Sequence, residues 1–300
     1  MRHPLLSRAA ASVRRWTGHD DLARRLDGIE RRLDAAAGDR YPYGPVYLGD
    51  HTALVATRFG AKMLLDTTDA MVTPWLVLDG LWESHVTGWL QETLRPGQVV
   101  VDVGANVGYF TVLAAMLVGP QGAVVAVEAH PRLAELLRRN VIINGLHGSV
   151  TVWPRAAWSR ATELKLHLRQ HFASNSSVGS VGAEALSRLG DTEEIVEVAA
   201  VALDDLLEGV GPVDVLKVDV EGAEVQVFTG LARTLAASRD VTVMFEWSPQ
   251  QVRDVGDEPA ALIELLRGHG FRFRLLERGL EEIDDATLRA LPYGNVVARR

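Results

Sequence analysis

An α/β fold with a doubly wound, mostly parallel sheet is what this sequence predicts, and three observations carry the prediction. From Val99 onward, strand-like and helix-like patterns alternate. The β-branched run Val99-Val100-Val101-Asp102-Val103 reads as a strand covered on both faces. It passes directly into the turn Gly104-Ala105-Asn106-Val107-Gly108 and then a helix, the arrangement of a ligand-gripping first βα turn.

The strands expected are Val99–Val103, Ala123–Glu128, Val150–Trp153, Val213–Asp219, Val241–Glu246 and Phe271–Glu277, with helices starting near Val107, Pro131, Glu221 and Pro259. Asn295–Ala298 is expected as a short apolar strand, antiparallel and at the sheet edge. Two further β-like segments, Glu163–Leu168 and Ile195–Ala200, bracket a polar insertion at about 169–194 that contains Ser174-Asn175-Ser176-Ser177. It is expected over the mouth of the site, where open sheets bind ligands at the carboxyl ends of their strands.

Ahead of this domain (96–300) the sequence predicts a cap at 39–95: a turn-rich linker, a hairpin of Ala53–Phe59 with Lys62–Asp66, and a helix from about Glu83 to before Pro96. In the first segment, 1–38, Leu22, Leu26, Ile29 and Leu33 recur at alternating four- and three-residue steps, a coiled-coil-like helix of about two heptads. Such a helix needs a partner, either the same helix of a second subunit, giving a homodimer or higher oligomer through residues 20–37, or its own domain. Arg2, Arg8, Arg14 and Arg15 surround an apolar stretch too short for a signal peptide. This basic end suits peripheral contact with an anionic membrane, or simple disorder.

The 300 residues are 47% hydrophobic and carry a net charge of -8, which fits a globular protein with one substantial core and argues against a nucleic-acid partner. The chain has no cysteine, so disulfides, thiolate chemistry and zinc–thiolate sites are excluded. No membrane-spanning segment is apparent, and a cytoplasmic location is the default expectation.

The glycine turn narrows the ligand. A dinucleotide fingerprint places a glycine where Asn106 stands, to make room for a pyrophosphate. An acidic residue closing the strand and a side-chain amide in the turn suit instead a ligand with an ammonium and no phosphate, and S-adenosyl-L-methionine (SAM) is such a ligand. Glu128 ends the second strand beside the first loop, placed to accept both hydroxyls of a ribose. In Leu216-Lys217-Val218-Asp219-Val220-Glu221-Gly222-Ala223-Glu224, strand alternation puts Lys217 and Asp219 on one face, with Asp219 emerging over the crevice. Glu221 and Glu224 follow as first-turn acids of a helix, which for Glu224 is the better reading. Glu246 ends the neighbouring strand, so two strand-end carboxylates face one pocket, as base candidates for methyl transfer to a hydroxyl. His171, like His167, flanks the serine loop, and histidine is the residue type whose ordinary range suits a base. Trp82, Trp158 and Trp247 lie near loop ends, where they either stack on a ligand or pack in the core. Asp219 and Glu246 would suit a divalent metal, but no histidine-rich set accompanies them and no metal is assigned.

Four ordered segments, Val101–Thr111, Val127–Pro131, Val201–Leu206 and Leu216–Glu224, resemble the FkbM family of SAM-dependent methyltransferases, over the chain from Glu83 to the C-terminus. The resemblance implies a class I, Rossmann-like methyltransferase that O-methylates saccharides or polyketide and other natural-product hydroxyls. It implies that Asp102, Gly104, Asn106 and Gly108 line the methionine end of SAM, with Ala105, Tyr109 and Phe110 beside them, and that Glu128 holds the ribose next to Ala129. Ala156 and Ala157 would border the adenine, Glu83 would close over the cofactor, and Ser176-Ser177 would gate the substrate. Members usually carry Glu-Pro after the second strand; here it is Glu128-Ala129-His130-Pro131, which leaves His130 without an assigned role. The sequence thus points to a SAM-dependent O-methyltransferase with Asp219, Glu246, Glu221, Lys217 and His171 as catalytic candidates. A nicotinamide-dependent dehydrogenase and a non-catalytic SAM-binding assembly partner are the alternatives.

Overall fold

Alternating apolar strands and helices become, in a computed structural model, a three-stranded N-terminal sheet, a central eight-stranded sheet and a small third sheet. The structure describes residues 44–180, 186–188 and 190–300. The basic N-terminal segment and the helix expected at 20–37 lie outside the described residues, as do 181–185 and 189 of the insertion.

The expected hairpin is formed by β2 (Thr52–Ala56) and β3 (Lys62–Asp66), and β1 (Val46–Gly49) adds an antiparallel strand beside it. Helix α1 (Val72–Asp79) has no counterpart in the sequence reading. Its segment is apolar around most of the helix and carries Pro74, so it has little amphipathic period to detect. Pro74 sits in the first turn, where proline is tolerated, and the Asp69 carboxylate accepts from the N–H groups of both Val72 and Thr73 at 2.8 Å. Helix α2 (Ser84–Thr93) follows where expected.

The central sheet begins with β4 (Val99–Val103), β5 (Ala123–Val127) and β6 (Val150–Trp153), with α3 (Tyr109–Val118) and α4 (Pro131–Ile143) between them. After a third sheet of β7 (Ala156–Trp158), β8 (Thr162–Arg169) and β9 (Glu193–Ala202), it resumes with β10 (Val215–Val218) and β11 (Thr242–Trp247). It closes with β12 (Arg272–Leu275), β13 (Glu281–Ile283) and β14 (Gly294–Arg299), in the order β13-β12-β14-β11-β10-β4-β5-β6. From β4 the chain winds one way through β5 and β6 and the other through β10 and β11, so the crevice opens at the carboxyl ends of β4 and β10.

One placement is corrected. The strand at Asn295–Ala298 is antiparallel as expected, but it is interior, paired with both β11 and β12; the edge is β13, whose Glu281 and Glu282 are exposed. Burial explains it: Val296, Val297 and Ala298 are inaccessible, as an unbroken apolar run covered on both faces must be.

The hairpin packs into the same core as β4. Met63, Leu65, Val86 and Trp89 join Val100, Leu113 and Leu137 in one buried cluster. Within it the buried Asn140 amide accepts from Leu64 N at 2.6 Å and donates to Leu64 O at 3.0 Å and Val107 O at 2.8 Å. One side chain thus ties β3 to the glycine turn.

Candidate active site

The first βα turn is held by close backbone contact. Gly104 has φ +75°, and a Cβ there would lie 1.7 Å from the carbonyl oxygen of Asp219, so no side chain fits between the ends of β4 and β10. Asn106 also adopts a left-handed conformation, φ 53°, at the point where its N–H turns toward Glu128. A cavity of about 390 Å³ opens over this turn, within the size range of small-ligand sites.

At one end of the cavity lies Glu128. Its carboxylate is buried and accepts from Asn106 N at 2.7 Å and His130 N at 2.8 Å; burial nevertheless pushes its pKa up to about 7. His130, whose role the sequence left open, caps α4: its Nδ1 accepts from Arg132 N at 3.2 Å, and Pro131 occupies the first turn. Burial lowers the His130 pKa to about 4, so the ring is the neutral acceptor this cap requires. Ala129, Ala156, Ala157 and Trp158 line the same end with small or flat surfaces.

The other end is acidic. Lys217 Nζ lies 3.0 Å from Asp219 Oδ2 and 3.8 Å from Asp102 Oδ1, and 5.2 Å from the centre of the Phe110 ring. Burial alone would lower the ammonium's pKa, but Asp219, Asp102 and Glu83 outweigh it and hold the group above the usual lysine range. Asp219, Glu221 and Glu246 each present a carboxylate oxygen within 4.8 Å of the others, the spacing of a cation site. Burial and the charge of Asp219 push both Glu221 and Glu246 well above the usual carboxylate range. Glu221, at φ 54°, accepts from the Gln251 amide. Burial, then Asp219, raises Glu83 to about 7. Tyr293 faces Glu246, and burial with that carboxylate raises its phenol above the usual range. Several carboxylates therefore share one buried ammonium, an environment that favours a cationic ligand.

Glu83, Gly104, Ala105, Asn106, Tyr109, Phe110, Glu128, Ala129, Ala156, Ala157, Lys217, Asp219, Glu221 and Glu246 all line the cavity, and the structure thus brings most of the expected site together. Asp102 and Gly108 stand behind it. Asp102 is buried in β4, accepting from Thr111 Oγ1 at 2.6 Å, and a Cβ on Gly108 would meet Leu137 at 2.3 Å. His171 does not line the cavity; its Nδ1 lies 3.3 Å from Thr68 O and its N–H donates to Asp191, so it ties the insertion to the cap. His167 pairs with Glu193 across β8 and β9. Trp247 is core, whereas Trp82 and Trp158 reach the cavity. The helix expected from Glu221 begins at Glu224, because Gly222, at φ +103°, is outside the helical region; a Cβ there would also lie 2.4 Å from Gln251 O. Glu224 itself turns back onto Val220 N at 3.1 Å. Ser174–Ser177 lie over the cavity as expected, and Ser177 Oγ donates to Glu221 O at 2.8 Å. Tyr293 and Gln251 escaped the sequence reading. With β14 placed next to β11, Tyr293 would have been legible as the residue entering an antiparallel strand at the carboxyl end of the sheet.

Residues 102–273 match the sequence profile described as Methyltransferase FkbM domain. The chain belongs to the FkbM methyltransferase family. It is 32% identical over 200 residues to 31-O-demethyl-FK506 methyltransferase FkbM of Streptomyces tacrolimicus, covering 59% of this chain and 74% of that one. It is 28% identical over 177 residues to methyltransferase sdnD of Sordaria araneosa, covering 51% and 68%. Among solved structures, precorrin-6y C5,15-methyltransferase of Geobacter metallireducens aligns over 78% of this chain and 95% of its own, at 14% identity and a TM-score of 0.43. This member of the FkbM family is a SAM-dependent methyltransferase, and the dehydrogenase alternative falls. Its site fits the cofactor: a buried carboxylate at one end of the cavity and an excess of carboxylates over ammonium groups at the other match a ribose and a sulfonium. No helix among the described residues is long and apolar enough to cross a membrane.

Proposed function

We propose that the protein methylates a hydroxyl oxygen on a saccharide or on a glycosylated or polyketide natural product. The observation that carries this reading is the acid end. Asp219 lies 3.0 Å from the Lys217 ammonium and is partly exposed to the cavity, whereas Asp102, the other carboxylate beside that ammonium, is buried. Burial, then the charge of Asp219, pushes Glu246, the other base candidate, well above the usual carboxylate range, and one of its buried oxygens lacks a hydrogen-bond partner. The two strand-end carboxylates therefore divide the work: Asp219 takes the proton of the acceptor hydroxyl, and Glu246, paired with Tyr293, orients the acceptor. Such a positioned base contributes about 10²–10⁴-fold.

When bound, SAM supplies a methyl group on a cationic sulfur for displacement by the acceptor oxygen. Glu128 would hold its ribose, the Gly104–Asn106 turn its methionine portion, and Ala156 with Ala157 its adenine. The name of the Streptomyces tacrolimicus relative, 31-O-demethyl-FK506 methyltransferase, supports an oxygen acceptor.

Incubating the enzyme with methyl-¹³C SAM and extract of its source tests the reading. Carbon NMR of the labelled product should place the label on oxygen, and hydrolysis should release it on a sugar or polyketide fragment. Label on nitrogen or carbon contradicts the proposal.

A further inference from the structure

A second cavity, of about 480 Å³, lies over α1 and the α1–α2 connection and shares two lining residues, Trp82 and Glu83, with the first. Its walls combine two kinds of surface. Trp75, Trp82 and Leu81 give it flat apolar faces, and Arg58, Asp79 and His85 give it charged and hydrogen-bonding groups. Trp75 is 56% exposed, whereas Trp89 and Trp247 are buried in the core at 3% and 1%, so more than half of its surface is left uncovered by the described residues. Arg58 is fixed: its Nε donates to Asp79 O at 2.8 Å, and an Nη lies 3.9 Å from Asp79 Oδ1. The remaining guanidinium donors and the Asp79 carboxylate stand beside the indole as a rim of both donor and acceptor.

We propose that this cavity is the acceptor subsite and that it takes a pyranose ring laid against Trp75, its hydroxyls held by Arg58, Asp79 and His85. The proposal rests on the O-methylation reading above and extends it to the face by which the acceptor is recognised. The chemistry matches on both sides. A pyranose has an apolar C–H face, which an indole covers, and hydroxyls around its edge, each of which both donates and accepts. An acceptor without that hydroxyl edge would desolvate Arg58 and Asp79 and return no hydrogen bonds. The direction is also right. Glu83 lies in both cavities and feels the charge of Asp219, so a ring seated on Trp75 leads to the acid end, with Glu83 beside the path. Glu83 is held there by a left-handed backbone, φ 38°, at the start of α2.

Saturation-transfer NMR on the full chain loaded with S-adenosylhomocysteine tests this, with methyl β-D-glucopyranoside as the saccharide probe and cyclohexanol as a ring of similar size without the hydroxyl edge. The glucoside ring protons should receive saturation, the cyclohexanol protons much less, and W75A should reduce the glucoside signal by about fivefold or more. R58A should reduce it as well. Because Trp75 and Arg58 are half-exposed and lie outside the cofactor cavity, calorimetric SAM affinity should be unchanged in both variants, which shows that they fold. No saturation of the glucoside, an equal signal from cyclohexanol, or an unchanged signal in W75A overturns the subsite. The two readings fail separately. Trp75-dependent glucoside binding with labelled methyl on nitrogen or carbon removes the O-methylation reading alone, and labelled sugar oxygen with an unaffected W75A removes the subsite alone.

Discussion

The two ends of the cofactor cavity are built on opposite principles. At the Glu128 end each carboxylate oxygen already accepts a backbone N–H, from Asn106 and from His130, and the neutral His130 ring is locked as a helix cap. At the Asp219 end, Asp219, Glu221 and Glu246 crowd together, the Lys217 ammonium lies 3.0 Å from Asp219, and Glu246 and Gln251 each keep a buried oxygen without a partner. The first end is satisfied before anything binds. The second is left short of positive charge, and low dielectric makes that shortage strong. We read the difference as a division between holding the cofactor and acting at its methyl group.

The most drastic way to break the comparison is to damage both ends at once. Gly104→Ala puts a methyl group into the Asp219 carbonyl and should abolish detectable SAM binding by calorimetry while lowering the melting temperature. Asp219→Asn should affect only one end: turnover with the natural acceptor should fall by about 10²–10⁴-fold, measured at saturating SAM. Glu128→Gln should affect the other, weakening SAM binding by about 10–100-fold, with turnover at saturating SAM retained. Asn140→Ala tests whether the holding end depends on the cap. It leaves Leu64 N, Leu64 O and Val107 O without their partner and should cost about 2–4 kcal/mol in denaturant unfolding, with a smaller loss of SAM affinity.

pH acts on both ends of the cavity at once. Burial raises Glu83, Glu128 and Glu224 to about 7 from a reference of 4.5. The folded protein therefore binds more protons than the unfolded chain between those values, and apo stability should decline as pH rises from 4.5 to 7 and level off above. A cationic ligand favours the ionised carboxylates, so SAM affinity should climb over the upper part of that range, by no more than about tenfold per pH unit for each proton released. Thermal shifts at pH 6 and pH 8, with and without SAM, check both signs.

Much of this was legible in the chain because its signals are local. Val99–Val103 and the glycine turn announce a buried strand and a close approach, and strand alternation alone puts Lys217 beside Asp219, as the 3.0 Å contact bears out. What escaped depends on pairing between distant segments. Nothing local says that Val296–Ala298 inserts between β11 and β12, and with that pairing unknown Tyr293 had no place. The α1 helix was hidden by an apolar segment without a polar face, so Trp75 and the second cavity were hidden with it. His171 misled in the other direction, since a histidine in a loop beside a site has the right chemistry whether or not the loop turns it inward.

The division between the ends is tested most directly without any acceptor, by calorimetric titration of SAM and of S-adenosylhomocysteine, which lacks the sulfonium charge, into the native enzyme, Glu128→Gln and Asp219→Asn. Glu128→Gln should weaken both ligands by the same factor, and Asp219→Asn should weaken SAM by about three- to tenfold while leaving S-adenosylhomocysteine unchanged. Equal losses of both ligands in Asp219→Asn, or unaltered binding in Glu128→Gln, would contradict the account.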